Sequence, residues 1–191
     1  IADFTRAHPR AQVDFHEDTQ NRLTGLLASH DLDVAFLYDI DLDPELERIA
    51  LSVRKPMVLL ATDHPLAGEQ AVDLRDLADE PMVLLDAPPS SGHALGMCAE
   101  AGFTPLIAYR TQTFETARSF VGRGLGWTLL LQRPVGDITY EGHALALLPI
   151  AHPPAEPVNV VLARRKNAHP SRVAQAFADF VVAAHRGFTA P

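Results

Sequence analysis

Short apolar runs alternate with amphipathic stretches along this chain, and that alternation constrains its fold more than any other feature. "DVAFLY" (33–38), "PMVLLAT" (56–62), "PMVLLD" (81–86), "PLIAYR" (105–110), "WTLLL" (127–131), "HALALLPI" (143–150) and "PVNVVLA" (157–163) all have strand length. Near-continuous hydrophobicity suits strands buried on both faces. "AQVDFHE" (11–17) alternates apolar and polar residues, as a strand with one wet face does. Between the strands lie helical patterns. Asp18 or Thr19 can cap a helix that places Leu23, Leu26 and Leu27 on one face. "VDLRDLADE" (72–80) reads as a short helix, and "ALGMCAEAG" (94–102) as a helix closed by Gly102 after the loop "APPSSGH" (87–93). Thr113 caps a helix burying Phe114, Ala117, Phe120 and Val121. Pro170-Ser171 opens a last helix with Val173, Phe177, Phe180 and Val181 on one stripe, stopped by Gly187. Strand–helix alternation predicts an α/β fold with parallel sheets covered by helices. At 191 residues this is one large domain or two small lobes, with residues 152–157 of the Pro-rich "AHPPAEP" the natural connection.

Several function classes have no support. A formal net charge of −8 argues against this chain gripping nucleic acid unaided. Cys98 is the lone cysteine, which fits a reducing compartment and rules out an internal disulfide or a thiolate cluster. The nine histidines do not pair as H-x-H, H-x-x-x-H or H-E-x-x-H, so a metal site is not expected. There is no G-x-S-x-G elbow and no marked pair of carboxylates, so catalysis has no positive support. No apolar stretch is long enough for a membrane-spanning helix. The opening "IADFTRAHPR" lacks the pattern of a signal peptide, begins without Met and reads as the end of a helix. The expectation is a segment of something longer.

"FVGRGLGWTLL" (120–130) carries G-x-G-x-G but sits after a helix and before a strand. A dinucleotide fingerprint needs the reverse order, so that a helix N-terminus holds the pyrophosphate. The reading is a turn: Gly122 or Gly124 takes positive φ to end the helix, and Gly126 permits close backbone approach.

What remains is a set of helix N-termini with small hydroxyl residues: Asp18-Thr19, Ser90-Ser91-Gly92-His93 and Thr111-Gln112-Thr113. Unpaired N–H groups and the helix dipole make such ends anion sites, although a single hydroxyl usually caps only its own helix. Three such ends after three strands fit the rule that ligands bind at strand carboxyl ends. They favour a carboxylate, with Arg110 a further donor if it reaches inward.

Taken together, "FTRAHPRAQVDFHEDTQNRLTGLLASHDLDVAF", "PMVLLATDHPLAGEQAVDLRDLADEPMVLLD" and "YRTQTFETARSFVGRGLGWTLL" resemble, in order and spacing, the effector-binding domain of LysR-type transcriptional regulators. The resemblance covers about residues 1 to 185. It implies two Rossmann-like α/β lobes with a central cleft, like a type 2 periplasmic binding protein. Residues 1–55 and 150–191 would form lobe one and residues 56–149 lobe two, with crossovers near Arg54–Met57 and Pro149–Ala151. It implies a small-molecule effector, often an organic acid, contacted by Thr19, Phe36, Tyr38, Ser52, Ser90, Ser91, Gly92, His93 and Thr113. It further implies no cofactor, no metal and no enzymatic activity in a cytoplasmic homo-oligomer that pairs lobe to lobe, around residues 2–16 and 94–110. DNA would be bound only by a winged helix-turn-helix outside these residues, and the first strand of lobe one would also lie outside. The rival readings are a free-standing solute-binding protein of the same fold and a small α/β enzyme.

Overall fold

The structure, a computed structural model, describes residues 1–132, 134, 136–166 and 170–186. The chain divides into two compact units, Ile1–Val53 with Asn159–Pro191, and Arg54–Val158.

In the first unit, helix α1 (Ala2–Ala7) precedes a segment without helix or strand, residues 11–19, and helix α2 (Gln20–Ser29). Strand β1 (Ala35–Tyr38) and β2 (Leu46–Arg54) follow, and β9 (Val158–Arg165) and helix α5 (Arg172–Arg186) return late in the chain. The sheet order is β1-β9-β2. One face carries α2, whose Leu27 packs with Ala35, Leu37, Val161 and Ala163. The other carries α1 and α5: Phe4, fully buried, meets Phe177 edge-on at 5.1 Å between ring centroids and packs with Leu162 and Val181. The predicted stripe of the last helix therefore faces the core at Phe177 and Val181, while Val173 is exposed. Its predicted stop, Gly187, lies outside the described residues.

The second unit holds β3 (Met57–Ala61), β4 (Val72–Asp73), a 3-10 turn (Leu74–Leu77), β5 (Pro81–Leu85), α3 (Ser90–Glu100), β6 (Leu106–Thr111), α4 (Phe114–Gly122), β7 (Thr128–Leu130) and β8 (Leu145–His152). Four strands lie in the order β4-β8-β3-β7, and β5 pairs with β6. Main-chain bonds from Trp127 N to Pro81 O (3.0 Å) and from Val83 N to Trp127 O (2.8 Å) join β5 to the approach to β7. Alternate residues of β3 face opposite layers. Val58 and Leu60 pack with Trp127, Leu74 and α3, whereas Leu59 packs with Ala117 and Val121 of α4. Burial on both faces is why "MVLLA" is apolar throughout.

Four expectations need correction. The sheets are mixed: β1–β9, β3–β7 and β3–β8 are antiparallel, whereas β4–β8 and β5–β6 run parallel. Residues 11–17 form no strand ladder, because no neighbouring strand among the described residues hydrogen-bonds to them. "VDLRDLADE" is a two-residue strand and one 3-10 turn, initiated by Asp73 accepting from Arg75 N at 3.0 Å. Residues 90–93, read as loop, are the first turn of α3. The nine-residue β2 was not anticipated. β8 also runs through residue 150 and pairs with β4 to its end at His152.

The glycine turn has the predicted geometry. Gly124 (φ +72°) follows the end of α4, and Gly126 (φ +146°) lies so close to Pro81 that an added Cβ would stand 2.1 Å from its carbonyl oxygen. The "DHPLAG" loop is also structural. His64 Nδ1 accepts from Leu66 N, which fixes the tautomer whose Nε2–H donates to Glu80 at 2.6 Å.

Candidate functional site

In the second unit the candidate residues gather at one end of a parallel strand pair. Register Leu85↔Thr111 aligns the carboxyl ends of β5 and β6, and Asp86 N donates to Thr111 O at 2.7 Å to extend the pairing. From these ends the chain turns into α3 and α4. Ligands bind at strand carboxyl ends because helix N-termini converge there. Ser90 and Ser91 open α3, Ser91 being buried and Gly92 exposed. No neighbouring atom stands within 4 Å of a Cβ built on Gly92, so this turn is open to an incoming group.

Thr113 is the N-cap of α4 (φ −106°, ψ 128°), yet its side chain makes no capping bond. Its hydroxyl instead lies between those of Thr111 (3.3 Å) and Thr116 (3.0 Å). That chain of hydroxyls can turn donors outward together, because each can act as donor or acceptor. His93 is half-buried, and burial lowers its pKa against a weaker opposing pull from Glu100. It is therefore neutral at pH 7, with Nε2 buried and unpartnered among the described residues. Arg110 does not supply the inward cation considered from sequence. Its guanidinium donates to Asp86 at 3.2 Å, in an exposed ion pair.

Thr19, Phe36, Tyr38 and Ser52 all fall in the first unit. Thr19 is the N-cap of α2 (φ −62°, ψ 151°) and again makes no side-chain capping bond. Its backbone N–H donates to Asp18 Oδ1 at 2.8 Å, and Asp18 Oδ2 pairs with Arg22 at 2.9 Å, which neutralises the carboxylate nearest this helix end. Tyr38 is half-buried and ends β1; Ser52 is half-buried on β2. Phe36 is exposed and borders a cavity of about 830 Å³ between residues 10–18 and 31–36, with Phe177 and Ala174 also lining it. Thr19, Tyr38 and Ser52 are not among its lining residues. Thus the structure groups Ser90, Ser91, Gly92, His93 and Thr113 around one strand pair, and puts Thr19 and Tyr38 on adjoining elements of the other unit.

Sequence reasoning missed Gln20. Its side chain is buried at 8% exposure and joins α2 to the end of β1. The only available signal was an amide directly behind a helix cap, which usually means a solvated first turn. Among the described residues no group of three His, Cys, Asp or Glu side chains is arranged to hold a metal ion. No helix among them is long and apolar enough to cross a membrane.

The family described as LysR substrate binding domain matches residues 1–186. The chain is 31% identical over 146 residues to an HTH-type transcriptional regulator of Bacillus subtilis (strain 168), YvbU, covering 76% of this chain and 49% of that protein. It thus spans about half the length of the curated relatives it matches. Among solved structures, the C-terminal domain of a probable LysR family transcriptional regulator from Rhodococcus sp. RHA1 is 58% identical, with a TM-score of 0.92, covering 94% of this chain and 88% of that one. The effector-binding domain of QuiR in complex with shikimate shares the fold, with a TM-score of 0.81 at 21% identity over 97% of this chain and 88% of that one.

Proposed function

The chain belongs to the LysR substrate-binding-domain family of transcriptional regulators, and from that premise we propose that it senses a small carboxylate. The family has the two-lobed α/β fold of the periplasmic-binding-protein type and comprises regulator domains rather than enzymes. One observation supports a carboxylate most directly. Helices α3 and α4 both start at the carboxyl ends of paired parallel strands, with Thr113 as an N-cap whose hydroxyl meets those of Thr111 and Thr116 rather than a backbone N–H of α4. Backbone N–H groups, hydroxyls and the helix dipole there favour a planar anion. Neutral His93 adds a polar group without adding charge. QuiR's shikimate is also a carboxylate, and that likeness supports the reading at the level of fold alone.

In this proposal Thr19, Phe36, Tyr38 and Ser52 belong to lobe one (1–55 and 150–191) and Ser90, Ser91, Gly92, His93 and Thr113 to lobe two (56–149). All nine are assigned to contact with one effector. The effector shifts the population toward the arrangement that binds it better, by no more than its differential affinity. The readout is a homo-oligomer's grip on DNA, through a winged helix-turn-helix beyond these residues, in the cytoplasm.

The test is a thermal-shift panel of small organic acids, amino acids and aromatic carboxylates, with sulfate controls at matched ionic strength. A ligand at a hundredfold excess over its Kd stabilises by about 2.7 kcal/mol. Saturable stabilisation by one class of carboxylate is the expected result. Thr19→Glu places a like charge at the anion position and should abolish that binding with the fold retained. Stabilisation by uncharged analogues as strong as by the acids would overturn the carboxylate reading.

A further inference from the structure

Gln20 occupies the first position of α2, directly behind Thr19, and its side chain leaves the helix to reach the end of β1. The amide is used at both ends. Tyr38 N donates to Gln20 Oε1 at 3.0 Å, and Gln20 Nε2 donates to Ile40 O at 2.9 Å. Even-numbered residues of this strand present their polar groups to one edge. The odd-numbered Asp39 N instead donates to Asn159 O at 2.8 Å, on the β9 side. One side-chain amide therefore brackets Tyr38 N and Ile40 O, between which Ile40 N donates to Tyr38 O at 2.8 Å, at the point where β1 gives way to a loop.

That loop is held from a second direction. Arg48 Nη1 pairs with Asp39 at 2.9 Å, and Nη2 donates to the carbonyls of Leu42 (2.8 Å) and Asp43 (3.2 Å). Asp41 sits within it at φ +49°. Arg48 ties the loop to β2, whereas Gln20 ties it to α2. Gln20 thus gives two backbone groups at this strand end a hydrogen-bond partner beside a buried side chain, as buried polar groups require.

We propose that Gln20 is a positioning residue: its amide fixes the spacing between Thr19 and Tyr38 and so sets the size of ligand that lobe one accepts. The assignment rests on the reading that Thr19 and Tyr38 contact the effector. The clamp itself is tested without any ligand. Gln20→Met keeps side-chain length and removes both hydrogen bonds; Gln20→Glu keeps the acceptor for Tyr38 N and removes the donor to Ile40 O.

The experiment is residue-resolved amide hydrogen exchange on the 191-residue chain and both variants, beside their thermal melts. The expected result is that Tyr38 N–H exchanges at least tenfold faster in Gln20→Met, stays protected in Gln20→Glu, and that Asp39 N–H is unchanged in both. Equal Tyr38 protection in wild type and Gln20→Met overturns the clamp. If Gln20→Met does not fold, Gln20→Glu decides, since loss of Tyr38 protection there, with the acceptor kept, overturns the clamp. The positioning role then shows in the acid panel. A clamp that sets ligand size makes Gln20→Met lose preference among acids of different length, whereas a uniform fall in affinity for all of them removes that role and leaves the clamp intact. A wild-type panel that is blank while Tyr38 exchange responds as predicted refutes the effector reading and, with it, the positioning assignment.

Discussion

Replacing Gly126 by Ala tests whether the glycine turn is a steric necessity. An Ala Cβ there would stand 2.1 Å from Pro81 O and 2.9 Å from Pro81 C, both backbone atoms that no rotamer change can move. Relief requires Pro81 and Gly126 to part by more than about 1 Å, which breaks the Trp127 N to Pro81 O bond (3.0 Å) and strains the bond from Val83 N to Trp127 O (2.8 Å). A φ of +146° adds a backbone conformation that L side chains rarely adopt. One or two buried main-chain bonds at about 1 kcal/mol each, with about 1–2 kcal/mol for the backbone, give roughly 2–4 kcal/mol. For a chain of this size that lowers Tm by about 4–16 °C. Gly124 is the internal control. Its φ is +72°, but an added Cβ meets no neighbouring atom within 4 Å, so Gly124→Ala should cost about 1 kcal/mol, from backbone alone. Gly122→Ala belongs between them, since its Cβ would press on the His143 Cβ at 2.9 Å while gaining helix propensity. Urea unfolding followed by fluorescence suits all three, because Trp127 is the single tryptophan and is fully buried. A Gly126→Ala stability within about 1 kcal/mol of Gly124→Ala would refute the close-approach argument.

Arg118 is 6% exposed, pairs with Glu115 at 2.7 Å and donates to the carbonyls of Gly136 and Ile138. Arg118→Met leaves Glu115 with its bond from Tyr140 N (2.8 Å) but no cation, removes the donors to two carbonyls, and should cost about 3 kcal/mol in urea titration, the low end for breaking a buried pair; a loss below about 1 kcal/mol would contradict the clamp. Cys98 is fully buried, and burial pushes its thiol up to about 11, so it should resist thiol reagents at pH 8 until urea unfolds the chain. Labelling of the folded protein at a free-thiol rate would show the site to be open. Hydrogen bonds from the Arg75 side chain, then from its backbone N–H, hold the Asp73 carboxyl down to about 2. A depressed carboxyl stabilises the fold above its ordinary pKa, and that contribution disappears as pH falls from about 4 through about 2. Asp73→Asn should flatten this part of the acid-unfolding curve, and an unchanged slope would assign acid sensitivity elsewhere.

Hydrophobic pattern reports which faces are buried, and here it did so well. The stripe Phe114, Ala117, Phe120 and Val121 packs as a unit against Leu59 and Leu145. Pattern does not report what lies beside a strand. Ala11 and Val13 pack with the Phe4 and Phe177 core as an inward-facing alternation should, yet no ladder forms, because pairing depends on a neighbour the segment itself does not encode. The same blindness hid strand direction: "DVAFLY" and "PVNVVLA" look alike whether parallel or antiparallel. It also hid β2, "LERIALSVR", in which charges interrupt the apolar positions. Those charges are in fact partnered, Glu47 with Arg164 at 2.8 Å and Arg48 with Asp39 at 2.9 Å.

The candidate site divides along the same line. Each helix N-terminus was legible alone, because a hydroxyl before an amphipathic run is a local signal. Whether two such ends face the same space depends on non-local register, and Leu85↔Thr111 is what makes neighbours of the starts of α3 and α4. Gln20 shows the opposite failure. The residue was in plain view, but a polar side chain behind a cap carries no mark of burial, and only the positions of Tyr38 N and Ile40 O give its amide a purpose. On the positioning role proposed for Gln20, effector preference in this lobe depends on a side chain that need not touch the effector. Two chains with identical contact residues would differ in preference wherever position 20 lacks an amide that reaches both partners.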